Sequence, residues 1–254
     1  MKQITRLLLN KFGYDFVRLT DESPVITETA PEVPIIQTDD DLILSKVRPF
    51  TMTSDTRILA LVDSIRHLTK NGIVGSVVEC GVWRGGSSMA AALTLLQEKD
   101  VSRDIYLFDT FTGMTQPSEN DVSFDGVPAK DQFPISGEAW CEADISDVKA
   151  NMESTSYPSA LLHYVPGPVE ETITSDCSPH QIALLRLDTD WYESTLHELH
   201  HLFPRLVKGG ILIIDDYGHW QGARKAVDEY FSQNNLPYFK HRIDYTGRLI
   251  IKHD

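Results

Sequence analysis

Residues 77–87 read Val-Val-Glu-Cys-Gly-Val-Trp-Arg-Gly-Gly-Ser, a short apolar run that turns through Gly81, Gly85 and Gly86 into a stretch of helical periodicity. A strand that meets a helix through such a turn opens a βαβ unit, and the small residues let backbone N–H groups approach a ligand closely. The spacing is not Gly-x-Gly-x-x-Gly, and no Lys-Ser/Thr pair follows, so neither the dinucleotide nor the P-loop signature is present. Glu79, just ahead of the glycines, would repel a pyrophosphate; it suits a ligand carrying an ammonium or sulfonium group. Ile105–Phe108 then forms a second apolar run that ends at Asp109, where a carboxylate can accept both hydroxyls of a ribose.

Outward from this unit the pattern repeats. Leu161–Val165 ends at Gly167, Ile182–Leu187 ends at Asp188, and Ile211–Ile214 ends at Asp215-Asp216. Helical periodicity fills about 87–98, 145–153, 192–206 and 220–233. Alternating strands and helices predict an α/β fold, a doubly wound parallel sheet with helices on both faces. Tyr238–Ile243 and Arg248–Ile251 flank the turn Asp244–Gly247 with no helix between them, which predicts a terminal antiparallel hairpin. Ahead of the first strand, Ser54 or Asp55 can cap a helix carrying Ile58, Leu59, Val62, Ile65 and Leu68, with Gly72 as its stop. Residues 20–41 hold three prolines and several acids. Residues 1–47 are therefore expected to form a partly extended arm, and 48–254 the domain. Residues 112–142 lack periodicity and follow an acidic strand end, as a lid insertion does.

In such sheets ligands bind beyond the carboxyl ends of the strands. Asp188, Asp190, Asp215 and Asp216 fall on neighbouring ends, and four converging carboxylates would repel one another unless a cation lay among them. Hard oxygen donors suit Mg²⁺ better than Zn²⁺. The chain has 254 residues and a formal net charge of −14, which argues against gripping nucleic acid or an anionic membrane. No apolar run approaches the roughly 20 residues of a membrane span. The first residues have too short an apolar core and no small-residue cleavage site, so no secretory signal is expected, and three scattered cysteines (Cys80, Cys141, Cys177) without a CxxC fit a reduced, cytoplasmic setting.

Acid, glycine turn, then acid on the second strand resembles the Rossmann-like class I S-adenosylmethionine-dependent methyltransferases. The segments FTMTS (50–54), ECGVWRGGS (79–87), LFDTFTGM (107–114), GPVEET (167–172), LLRLDTDWYEST (184–195) and LIIDDYGHWQGARKAVDEYF (212–231) resemble the macrocin O-methyltransferase family, sugar O-methyltransferases of antibiotic pathways. The resemblance implies Mg²⁺-dependent transfer of a methyl group from S-adenosylmethionine to a sugar hydroxyl of a larger natural product. It implies Asp188, Asp215 and Asp216 as metal ligands and Asp190 as general base, with Asp188 the alternative. Cofactor contacts are implied at Thr51, Met52, Glu79, Gly81, Trp83, Gly85, Ser87, Asp109, Phe111, Gly167 and Asp188. A non-sugar vicinal diol or a polysaccharide is the alternative acceptor. A dinucleotide enzyme would need the missing glycine spacing, and a scaffold that had lost its chemistry would not need the intact acids.

Secondary candidates are Thr53 beside the cofactor, residues 167–171 at the adenine edge, Trp140 and Asp144 in the insertion, and His219 near the acceptor. Arg186, inside an apolar strand, is expected to pair with an acid of the fold. His197, His200 and His201 read as a solvated helix face, and Cys80 as a buried, inert thiol. The acidic arm makes a homo-oligomer the expected assembly, and a glycosylated small molecule the expected substrate.

Overall fold

The computed structural model describes residues 38–132, 140–173 and 177–253. Its strands are β1 (Ser76–Cys80), β2 (Ile105–Asp109), β3 (Leu162–Pro166), β4 (Ile182–Leu187), β5 (Leu206–Ile214), β6 (His241–Arg242) and β7 (Arg248–Ile251). They form one sheet in the order β3-β2-β1-β4-β5-β7-β6. The first five are parallel; β7 runs antiparallel to β5 and pairs with β6 as the terminal hairpin. The order reverses between β1 and β4, so a crevice opens where their carboxyl ends diverge.

Six main helices cover the sheet: α1 (Asp39–Val47), α2 (Asp55–Lys70), α3 (Gly86–Gln97), α4 (Ile145–Glu153), α5 (Tyr192–Leu202) and α6 (Gln221–Gln233). Every residue of β1 and β4 is buried, as expected of strands covered on both faces. Val77, Ala183 and Leu184 pack with α1–α4, while Val78, Leu185 and Leu187 pack with Leu199, Val227 and Phe231 of α5 and α6. Ser54 caps α2 by accepting from the Arg57 N–H, and Gly72 follows its end at a φ of +62°. Of the apolar positions expected to face the core, Leu59 is only half-buried and Leu61 lies inside in its place. α5 ends at Leu202, four residues short of expectation, where Pro204 turns the chain into a 3-10 turn. β5 starts earlier than expected and runs through Gly209-Gly210, while only His241–Arg242 of the first hairpin arm pairs.

The expected boundary between arm and domain is corrected. Residues 39–47 belong to the fold, because Thr38 and Asp41 form a reciprocal capping box and Ile43 and Val47, four apart, are buried in the core. Residues 1–37, the rest of the expected arm, lie outside the described residues, as do 133–139 of the insertion. The described insertion is tied to the domain: Val122 and Ser123 receive backbone and side-chain donors from Gln221, and the Trp191 indole donates to the Thr115 carbonyl at 2.9 Å.

Truncating Ile43 to Ala removes a side chain that is 2% exposed and is expected to cost about 2–5 kcal/mol in denaturant unfolding. A loss below about 0.5 kcal/mol would mean that α1 is not part of the core.

Candidate active site

Glu79 on β1 lies opposite Arg186 on β4 in the register of the two strands. Arg186 is 3% exposed and is the hub of the site. Its Nη1 is 2.6 Å from both Glu79 Oε1 and Asp188 Oδ2; its Nη2 is 2.6 Å from Asp215 Oδ1 and donates to Thr53 Oγ1 at 2.8 Å. The other oxygen of Asp215 pairs with Arg57 from the first turn of α2, whose Nε also lies 3.1 Å from Asp244 Oδ2 in the hairpin turn. One buried guanidinium thus ties the ends of β1, β4 and β5 to the segment before α2. Gly81, directly after β1, has a φ of +80°, and a Cβ there would collide with the Asp188 carbonyl, so glycine lets the two strand ends touch.

Asp188, Asp215 and Asp216 each present a carboxylate oxygen within 4.8 Å of the others. The donor chemistry fits a hard divalent cation. Counting Glu79 and Asp190, five carboxylates face only two guanidiniums, Arg57 and Arg186, which leaves negative charge to neutralise. Each carboxylate bonded to an arginine retains lone pairs for a second partner. Burial first, and then the charges of Asp190 and Asp188, push Asp216 well above the usual carboxylate range despite the Arg186 charge.

Asp190 stands beside this cluster at a φ of +65°. Its Oδ1 accepts from the Trp220 indole at 2.6 Å and its N–H donates to Asp216 Oδ2 at 3.3 Å. Burial first, and the Asp188 charge second, raise its pKa to about 7. Trp83 and Cys141 also take left-handed backbone on the same wall. Strained backbone of this kind gathers at ligand sites, where surrounding contacts over-determine it.

The acids form one side of a cleft of about 310 Å³. Of the residues expected to touch a cofactor, Thr51, Met52, Glu79, Gly81, Trp83, Ser87, Asp109, Gly167 and Asp188 lie on its wall. Gly85 and Phe111 do not. Gly85 serves as the left-handed N-cap of α3, and Phe111 is packed into the core behind the wall. Glu79 is held on the cleft wall by two partners: Arg186 Nη1 at one of its oxygens and the Ser88 hydroxyl at the other, each oxygen keeping a lone pair for a further donor. Burial raises its pKa to about 7 despite the Arg186 charge. Asp109 is fixed by three backbone donors, Val82 N–H at 2.6 Å, Trp83 N–H at 3.0 Å and Phe111 N–H at 2.7 Å. That orients its remaining lone pairs.

Among the secondary candidates, Thr53, Trp140, His219 and residues 167–170 line the cleft, while Asp144 only caps α4. His200 and His201 are exposed; His197 is half-buried, and burial lowers its pKa. Cys80 is buried and its thiol is pushed well up, chiefly by burial.

Arg57, Trp191 and Trp220 were not expected, whereas Trp140 was. Trp140, Trp191 and Trp220 pack with centroids 5.1–6.4 Å apart on the cleft wall. Trp191 and Trp220 directly follow the acid motifs, which was the available signal. Glu198 gave none: it stands among leucines of α5, yet is wholly buried, with Oε1 accepting from the Thr189 hydroxyl at 3.0 Å.

The family profile described as macrocin-O-methyltransferase (TylF) matches residues 41–252. The chain is 30% identical over 197 residues to the 8-demethyl-8-(2,3-dimethoxy-alpha-L-rhamnosyl)-tetracenomycin-C 4'-O-methyltransferase of Streptomyces olivaceus, covering 78% of this chain and 73% of that one. It is 29% identical to mycinamicin III 3''-O-methyltransferase of Micromonospora griseorubida, covering 73% and 72%. The solved O-methyltransferase NovP superposes with a TM-score of 0.72 at 26% identity, over 81% of this chain and 83% of that one. The fold, the strand-end acids and these matches agree: the chain belongs to the macrocin-O-methyltransferase family and is an O-methyltransferase.

Proposed function

We propose that the protein methylates one hydroxyl of a sugar in a glycosylated small molecule, using S-adenosylmethionine as donor and Mg²⁺ as the resident cation. The observation that carries the reading is the convergence of Asp188, Asp215 and Asp216, with carboxylate oxygens within 4.8 Å of one another, on one side of the cleft. The named relatives act on sugar hydroxyls of tetracenomycin-type and mycinamicin-type compounds, which supports the acceptor class. Three free cysteines suit a cytoplasmic setting, and no helix among the described residues is long and apolar enough to cross a membrane.

Asp188, Asp215 and Asp216 would hold the cation, which supplies positive charge that acidifies an alcohol and fixes its direction. Asp109 is placed to accept ribose hydroxyls, and Gly167 and Thr51–Thr53 to border the remainder of the donor. Asp190 takes the hydroxyl proton as the oxygen forms its bond to the methyl carbon and the carbon–sulfur bond breaks. The Trp220 indole and the left-handed backbone fix its carboxylate. The tryptophan wall excludes water from that point and confines the acceptor, so alignment supplies part of the rate.

Labelled S-adenosylmethionine, Mg²⁺ and a panel of deoxysugar glycosides test the reading. Chelation is expected to abolish methyl transfer and added Mg²⁺ to restore it; turnover that survives chelation would remove the cation from the account. Asp190→Asn is expected to lower kcat by about 10²–10⁴-fold while S-adenosylhomocysteine binding by calorimetry persists. Because only ionised Asp190 accepts a proton and its pKa is raised to about 7, kcat/KM is expected to climb with pH up to about 7 and then level. A bound cation shifts that limb to lower pH, never higher. A rate that falls as pH rises from 5 to 8 in the wild type would assign the proton to another group.

A further inference from the structure

Three aromatic rings meet at the outer rim of the cleft, each from a different segment: Phe124 from the insertion, His219 from the β5–α6 loop and Tyr245 from the hairpin turn. Their centroids are 5.5 Å (Phe124–His219), 6.2 Å (Phe124–Tyr245) and 6.1 Å (His219–Tyr245) apart, and His219 Nδ1 is 2.9 Å from the Tyr245 hydroxyl. Phe124 and Tyr245 nevertheless remain 62% and 53% exposed. The backbones beneath them are firmly held. Ser123 bridges to Trp220 and its carbonyl accepts from Gln221 Nε2 at 2.8 Å. Gly218 N–H donates to the Thr246 carbonyl, and a Cβ at Gly218 would run into the Tyr245 carbonyl. Thr246 Oγ1 in turn donates to the Asp215 carbonyl at 2.6 Å, so the rings share a frame with the acids. Exposed aromatic faces fixed in place without being buried mark a surface made to be covered.

The position says by what. His219 and Trp220 line both the cleft and an adjoining hollow of about 530 Å³, whereas Phe124 lines the hollow alone. His219, shared by the two hollows, gives an acceptor with its hydroxyl at Asp188, Asp215 and Asp216 a path onto Phe124. The hollow's cations are already engaged. Arg224 lies 3.7 Å from Asp228 and over the Tyr217 ring; Lys225 donates to Asn120 Oδ1 at 3.0 Å and lies over the Tyr192 ring. A nucleoside diphosphate would find its charge poorly met there, whereas a flat, uncharged group would find rings.

We infer that Phe124, His219 and Tyr245 form a subsite for the apolar aglycone attached to the sugar that is methylated. This rests on the sugar-acceptor reading above.

Saturation-transfer NMR on the full-length protein with S-adenosylhomocysteine, using the para-nitrophenyl and methyl glycosides of one deoxysugar, reads the contact directly. Saturation is expected to reach the nitrophenyl protons in the wild type and to be lost in Phe124→Ala. The preference for aryl over methyl glycoside, as a ratio of kcat/KM, is expected to fall about three- to tenfold in Phe124→Ala, mostly through KM, and to recover in Phe124→Tyr. Unsaturated nitrophenyl protons in the wild type, or an unchanged ratio in Phe124→Ala, overturns the inference. So does tighter binding of the same sugar as its nucleoside diphosphate. Aryl saturation without methylation of either glycoside would sink the sugar-acceptor reading while leaving the aromatic subsite standing.

Discussion

The site depends on one buried cation. Arg186 lies buried one residue from the carboxyl end of the central strand β4, where a guanidinium is tolerated only if its charge and its donors are met. Glu79, Asp188 and Asp215 meet the charge, and Thr53 takes a further donor. The fork of Arg186 therefore sets the distance between the ends of β4 and β5 and anchors the segment ahead of α2. Removing it would leave three carboxylates crowded together with little to offset them. In a methyltransferase this frame does for the acids what packing does for apolar side chains: it fixes their positions before any ligand arrives.

The same frame explains why so many groups around the cleft titrate away from their ordinary values. Burial and mutual repulsion raise Glu79, Asp190 and Asp216 together. A site that crowds acids beyond what its arginines neutralise is poised to take a cation, and an acid held near neutrality is poised to exchange a proton. The two properties arise from one cause, a carboxylate excess in a partly dry crevice, and they divide between neighbours. Asp188, Asp215 and Asp216 bring carboxylate oxygens within 4.8 Å of one another, while Asp190 lies against Asp216 and accepts from the Trp220 indole.

The parallel sheet was legible because β1, β2, β4 and β5 are apolar runs that stop at acids or glycines, and the order of a doubly wound sheet brings those stops to one edge. The convergence of Asp188, Asp215 and Asp216 follows from that order alone. Arg186 was legible as a paired residue, though not as the hub, because its partners come from three segments. Arg57 gave no sign: it is a charged residue in the first turn of an amphipathic helix, and only the tertiary fold brings Asp215 and the hairpin turn carrying Asp244 to it. The helix at 39–47 was hidden by the proline-rich, acidic stretch before it, although the Thr38–Asp41 box and the spacing of Ile43 and Val47 were there to read. The aromatic rim was illegible for the reason that makes it informative: Phe124 and Tyr245 lie in turns with no periodicity, and only the tertiary fold brings them together.

Manganese binding followed by electron paramagnetic resonance, comparing the wild type with Arg186→Lys, is the most direct test of the central claim. Lysine keeps the charge but loses the fork, so the acids lose their fixed spacing. The account predicts one bound ion per wild-type chain and an affinity about 10- to 100-fold weaker in Arg186→Lys, with an unchanged circular dichroism spectrum. Equal affinity in the two proteins, both folded, would contradict it.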